Sequence, residues 1–201
     1  MVLISGNGSN LQAIIDHCNN GETPAEVVAV ISNVQSAFGL ERARSAGIEA
    51  RCLNHREFMS RGAFDEALTT LIEGFRPDLV ALAGFMRILS PSFVDHFAGR
   101  LMNIHPSLLP QYPGLDTHRR VIADGAKEHG ATVHFVTRDL DAGPVIIQGR
   151  VEVCENDSEH SLEARVHEVE HRIYPEAVRW FASGRLRLQG DVALLDGQPL
   201  T

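Results

Sequence analysis

Apolar positions in the first half of the chain fall in short β-rich runs that alternate with stretches of helical spacing. Val2–Ser5 predicts a short first strand, and Leu11, Ile14, Ile15 and Cys18 then fall at i, i+3, i+4 and i+7, one face of a helix. Val27–Ser32 predicts a second strand, Phe38–Ala46 a helix closed by Gly47 at its C′ position, and Ile48–Leu53 a third strand. Ala63–Phe75 predicts a helix with Ala67, Leu68, Leu71 and Ile72 inward, which Pro77 ends. Asp78–Ala83 is apolar throughout most of its length, as expected of a strand buried on both faces. Such alternation predicts an α/β fold: an open, mostly parallel, twisted sheet with helices on both faces, Rossmann-like in plan.

The second half has a different rhythm. Leu101–Ile104 predicts a short strand and Thr117–Ala123 a helix ended near Gly125. Ala131–Thr137 and Val145–Val153 predict two strands joined by a turn at Asp139–Gly143, so this half brings mixed strands into the sheet. From Ser158 a long helix is predicted, with Leu162, Val166, Val169 and Ile173 on one side; Pro175 is expected to kink or restart it. Trp180 and Phe181 are expected to dock its end, and the tail after Gly184 to form a small hairpin with Asp196-Gly197 as a turn.

Composition narrows the class. The chain has 201 residues, 44% hydrophobic and 22% charged, which suits a single globular domain over residues 1–201. A formal net charge of −8 argues against nucleic acid as a partner. The longest apolar run, about Leu79 to Met86, is too short to span a bilayer, and the first residues carry no basic, cleavable leader. Cys18, Cys52 and Cys154 are odd in number and widely spaced, the usage of reduced thiols in a cytoplasmic protein.

Ligands of an open α/β sheet bind beyond the carboxyl ends of its strands, which selects Gly6–Asn10, Gly84–Leu89 and Asn103–Pro113. Ser5-Gly6-Asn7-Gly8-Ser9-Asn10 follows the first strand and opens the first helix, where free N–H groups and the helix dipole suit an anion such as phosphate. It is not a dinucleotide fingerprint, since Leu11 stands in the place of the third glycine and no acidic residue ends the second strand. The alternative is a tight turn capped by Ser9.

Asn103-Ile104-His105-Pro106 is the sharpest signal. In an extended segment Asn103 and His105 project to one face, and Pro106 keeps His105 extended. A carboxamide that can bind an oxyanion, beside an imidazole that can move a proton, suits acyl transfer. Asp141, in the turn between two apolar strands, could face His105, favour the imidazolium and fix the ring's orientation. The competing readings are a buried histidine with a capping asparagine, and an exposed turn aspartate. Arg87 stands just beyond a buried strand, Arg61 before a helix where it could pair with a carboxylate, and Glu170 on the long helix, by default a solvated charge. The ten histidines show no metal-binding spacing, and no metal is expected.

These residues carry a resemblance. Ile4-Ser5-Gly6-Asn7-Gly8-Ser9-Asn10, Ala83-Gly84-Phe85-Met86-Arg87-Ile88-Leu89, Asn103-Ile104-His105-Pro106-Ser107-Leu108-Leu109-Pro110, Gly130-Ala131-Thr132-Val133-His134 and Asp141-Ala142-Gly143-Pro144-Val145-Ile146-Ile147-Gln148 are similar to segments of the folate-dependent formyltransferases. The first segment resembles the branch that formylates glycinamide ribonucleotide in purine biosynthesis. The resemblance spans essentially the whole chain. It implies that Gly8, Ser9 and Asn10 hold the ribonucleotide phosphate and that Glu170 lies near its ribose. Met86, Arg87, Ile88 and Leu89 would line the pterin pocket of the co-substrate 10-formyltetrahydrofolate, with Arg61 and Asn103 also on the folate side. Residues 1–100 would then be the nucleotide-phosphate half and 101–201 the catalytic and folate half. Asn103 would bind the formyl oxygen, His105 would transfer protons, and Asp141 would support His105 and order a proton-carrying water. The substrate amine would attack directly.

Two departures stand out. Asp116 occupies a position where relatives often carry histidine, and the first strand begins a few residues later than is usual. The resemblance leaves rival readings: a formyltransferase for methionyl-tRNA, an amino sugar or another amine; a formyltetrahydrofolate deformylase; or a folate- or nucleotide-binding protein without catalysis. A cytoplasmic monomer or weak homodimer with small-molecule substrates is expected, with no membrane partner.

Overall fold

The computed structural model describes residues 1–200. Its elements run β1 (Val2–Ile4), α1 (Ser9–Asn19), β2 (Ala29–Ser32), α2 (Gly39–Ser45), β3 (Glu49–Cys52), α3 (Arg61–Glu73), β4 (Val80–Leu82), α4 (Pro91–His96), β5 (Leu101–His105), α5 (Thr117–Ala123), β6 (Glu128–Phe135), β7 (Val145–Glu152), α6 (Glu159–Ala182), β8 (Leu186–Gln189), β9 (Val192–Leu195) and β10 (Gln198–Pro199). Seven strands form one sheet in the order β3-β2-β1-β4-β5-β6-β7. The first five are mutually parallel, whereas β6 and β7 are antiparallel to their neighbours. The α/β class and the mixed second half thus stand as expected.

Strand alternation builds two cores. Val2, Ile4, Val30, Ala81, Met102, Ile104 and Val133 face the layer of α1, α2, α5 and α6. Leu3, Ala29, Ile31, Val80, Leu82 and Leu101 face Phe64, Leu68 and Ile72 of α3 and Phe93, Val94 and Phe97 around α4. By the same period of two, Asn103 and His105 continue the face of Leu101 beyond the end of that apolar layer. Polar side chains therefore emerge where the strands run out.

Several details differ from the pattern-based expectations. The short α4 escaped the reading, although Ser90 caps it by accepting from Phe93 N and Pro91 opens it. In α3 the buried set is Phe64, Asp65, Leu68 and Ile72, with Ala67 and Leu71 only half-buried. Helix α6 runs unbroken through Pro175 for 24 residues. One helix bond is lost there, but Tyr174, Pro175, Ala177 and Val178 are all buried, and packing of that stripe outweighs the local loss. The tail is a three-stranded sheet, β10-β9-β8, with Asp196-Gly197 turning β9 into β10.

Candidate active site

The turn after β1 is shaped by close backbone approach. Gly8 precedes α1 in a left-handed conformation (φ 76), and a Cβ there would lie 2.8 Å from Gly39 Cα. No side chain caps α1, so its first N–H groups stay available to a ligand. Arg42 braces the turn from outside, donating from Nε to Asn7 O at 2.9 Å and from Nη2 to Asn7 Oδ1 at 3.0 Å. Inside, Asn10 Nδ2 donates to Glu170 Oε2 at 2.8 Å, and Asn10 Oδ1 is buried without a partner. Glu170 is not the solvated charge of the default reading: it is only 4% exposed, and burial raises its pKa against the opposing hydrogen bond from Asn10. Gly8, Ser9, Asn10 and Glu170 are thus brought to one place.

Ser5 joins this turn to the next. Its Oγ accepts from Met86 N at 2.8 Å, and Ser5 N donates to Gly84 O at 3.0 Å. Residues 84–89 then fold tightly, with Gly84 at φ 74 and Arg87 N donating to Phe85 O at 2.9 Å. Met86 and Ile88 are exposed apolar side chains at this strand end, Leu89 packs partly on the α3–α4 core, and Leu140 is exposed in the 139–143 turn. The Arg87 guanidinium sits 4.9 Å from the centroid of Phe64, one turn along α3 from the exposed Arg61. Neither arginine has a carboxylate within ion-pair distance among the described residues.

The third cluster forms where β5 meets β6. Asn103 is paired in register with His134, and His105 with Thr132. His105 Nδ1 lies 3.4 Å from Asp141 Oδ2, both side chains being 7% exposed, so Asp141 is not a solvated turn residue. On its other side His105 Nε2 is 2.9 Å from Tyr112 O, so both ring nitrogens face oxygen acceptors. Gly114 N donates to Asp141 Oδ2 at 2.8 Å, and Asp141 holds a left-handed backbone (φ 51), an unusual conformation for a non-glycine residue. Asn103 Nδ2 contacts His134 Nε2 at 3.2 Å, and His134 Nδ1 contacts Phe135 O at 2.9 Å.

The loop after His105 is pinned by its own network. Thr132 Oγ1 donates to Ser107 O at 2.6 Å and accepts from Leu109 N at 3.0 Å, while Gln148 Nε2 donates to Leu109 O at 2.8 Å. Behind the loop, His129 Nε2 and His118 Nδ1 are 3.0 Å apart. Burial brings His129 down to about 4, and His118 is lowered for the same first cause. Asp116, in a left-handed conformation (φ 57), pairs with Arg119 at 2.5 Å on the surface. The sequence alone carries no sign of the contacts of Ser5, His118, His129 and His134. For His134 the available signals are its strand position and its place in the Gly130–His134 segment.

Along the ends of β1, β4 and β5 in turn, the arrangement therefore offers a glycine turn with uncapped helix N–H groups, an apolar shelf with nearby cations, and a carboxamide, imidazole and carboxylate. That is the equipment of a group transfer between two bound molecules. The sequence model of the family described as formyl transferase matches residues 1–178, and the chain belongs to that family. Within it, the chain is similar to phosphoribosylglycinamide formyltransferase of Escherichia coli K12, 58% identical over 200 residues covering 100% of this chain and 94% of that protein. It is 46% identical to the human trifunctional purine biosynthetic protein adenosine-3 over 93% of this chain and 18% of that larger one. Among solved structures, phosphoribosylglycinamide formyltransferase from Coxiella burnetii superposes with a TM-score of 0.96 at 52% identity, covering 100% of this chain and 94% of that one. Glycinamide ribonucleotide transformylase 1 from Symbiobacterium toebii gives 0.94 at 48% identity, covering 96% and 92%. Among the described residues no helix is long and apolar enough to cross a membrane.

Proposed function

We propose that this chain transfers the formyl group of 10-formyltetrahydrofolate to the amine of glycinamide ribonucleotide. The observation that carries the reading is the meeting of Asn103, His105 and Asp141 at the end of β5, on the same sheet edge as the glycine turn after β1 and the apolar 86–89 segment after β4. The ribonucleotide phosphate binds the free N–H groups at Gly8, Ser9 and Asn10, and its sugar reaches the Asn10–Glu170 pair, where the bare Asn10 Oδ1 takes a hydroxyl donor. The pterin packs against Met86, Ile88 and Leu89 and satisfies backbone groups around Arg87. Arg61 and the Arg87 guanidinium are free to meet the carboxylates of the folate tail.

In the reaction the amine attacks the formyl carbon, and negative charge develops on the formyl oxygen. Asn103 donates an amide N–H to that oxygen, a contribution typically worth about 3–4 kcal/mol of barrier. His105 carries the proton that leaves the amine or reaches the departing folate nitrogen, held in place by Asp141 and by Tyr112 O. Binding both reactants in one cleft supplies further rate through proximity. The chain's own side chains need form no covalent intermediate.

The test is a steady-state assay with both substrates, following the folate product by absorbance, with the ribonucleotide omitted as control. Product that depends on the ribonucleotide supports the transfer. Product without it would mean a deformylase, and binding without turnover would mean a non-catalytic protein; either would overturn the proposal.

A further inference from the structure

We infer that His134 is a positioning residue that fixes which way the Asn103 carboxamide faces, and so delivers its N–H to the reacting oxygen. The inference rests on the role proposed above for Asn103. His134 is 2% exposed on β6, opposite Asn103 in the β5–β6 ladder. Its Nδ1 lies 2.9 Å from Phe135 O, an acceptor only, so Nδ1 carries the ring proton. Burial lowers the ring's pKa, against the opposing pulls of Phe135 O and Asp141, and the ring is neutral at neutral pH. A neutral ring protonated at Nδ1 has a bare lone pair at Nε2, which lies 3.2 Å from Asn103 Nδ2. Only the amide NH2 can face that lone pair. The flipped amide would set Asn103 Oδ1 against it, two acceptors in contact.

One N–H of Asn103 is thus spent on His134, and the second points away from it, free for the formyl oxygen. The Phe135 carbonyl that sets this chain of contacts is itself enclosed. A Cβ on Gly143 would lie 1.8 Å from Phe135 O and 3.3 Å from His134 Nδ1. Phe135 N also donates to Pro144 O at 3.0 Å. The titratable groups facing the His134 ring are Asp141, whose Oδ1 is 4.0 Å from Nε2, and His105. Asp141 is too distant to take the place of Asn103 as a hydrogen-bond partner of Nε2.

Two isosteric variants separate the ring's two nitrogens. A glutamine amide reaches the place of Nε2 and an asparagine amide the place of Nδ1. His134→Gln keeps an acceptor for Asn103 and is expected to hold kcat within about fivefold of the parent. His134→Asn keeps only the Phe135 contact and is expected to lower kcat by about 10- to 100-fold with KM for both substrates little changed. In an Asn103→Ala background His134→Asn should cost nothing further, because its effect runs through Asn103. Additive losses, or equal losses in both His134 variants accompanied by a lower Tm, would overturn the inference. A 15N spectrum of the histidine rings reads the contact without any turnover. A protonated Nδ1 and bare Nε2 at neutral pH are expected, and the opposite tautomer would overturn it. Absence of transferase activity in the parent would sink the proposed function, while the ring spectrum would still decide this contact.

Discussion

His118 and His129 approach each other nitrogen to nitrogen at 3.0 Å, and a contact of that kind needs one donor and one acceptor. Both rings cannot be protonated and keep it. His129 falls to about 4 in the folded chain, first through burial and then through repulsion from His118 and His105. A histidine whose folded pKa lies below its ordinary value binds fewer protons folded than unfolded, so stability rises with pH between the two values. Stability is therefore complete above the ordinary histidine range and declines as pH falls from about 6.5 towards 4. Thermal melts across that window should show this slope, and His129→Gln, which cannot gain a proton, should flatten it. A slope unchanged in the variant would place the acid sensitivity elsewhere.

His105 has an oxygen acceptor at each ring nitrogen, Tyr112 O at 2.9 Å and Asp141 Oδ2 at 3.4 Å. His105→Ala removes the proposed proton carrier and should lower kcat by about 10²–10⁴-fold while the KM for the ribonucleotide stays near its parent value. Asp141→Asn preserves size and the acceptor for Gly114 N but removes the charge beside His105. It should also depress kcat, by less than His105→Ala, without loss of fold by circular dichroism. Near-parental turnover in the His105 variant would remove the imidazole from the mechanism.

Tyr174 is fully buried on α6, and its hydroxyl lies 3.0 Å from Leu82 O, at the last residue of β4, and 3.2 Å from Met102 O, at the second residue of β5. It is the point where the long helix grips the strand carrying Asn103. Tyr174→Phe strips a donor from buried carbonyls at little change in volume and should cost about 1–3 kcal/mol of stability in a urea titration. Substrate affinities should survive. An unchanged unfolding midpoint would show those carbonyls to be satisfied without it.

Periodicity made the sheet and its helices legible, because a half-buried element advertises its buried face. It failed at α4, whose six residues carry too little pattern, and at Pro175, where tertiary packing overrides a local penalty. The candidate site was legible where it rests on spacing: Asn103 and His105 share a face because they stand two positions apart in extended chain. Contacts across the fold left no local mark. Nothing near Asp141 in sequence reports that its carboxylate turns inward to His105, nor does α6 announce that Glu170 meets Asn10, 160 residues away. His134 looked like any inward strand residue, because its partner lies on another strand.

Glu170 shows what such a contact costs. The carboxylate is 4% exposed, its hydrogen bond comes from the neutral Asn10, and the nearest cation-forming group, His167 Nε2, is 4.0 Å away. Burial raises its pKa, which means the folded state disfavours the charge. A carboxyl with a raised folded pKa binds more protons folded than unfolded, so its contribution to stability is lost as pH rises through that pKa. Glu170→Gln keeps an oxygen for Asn10 and removes the buried charge. It should therefore raise stability at pH 7, by about 1 kcal/mol or a few degrees in Tm. If Glu170 holds the sugar of the ribonucleotide, the same variant should raise KM for that substrate and leave KM for the folate unchanged. Calorimetry of melting and substrate titrations read the two effects separately, and their signs are opposed. A variant that is more stable with unaltered KM would make Glu170 a buried charge without a substrate. A less stable one would show that the ionised carboxylate holds α1 against α6.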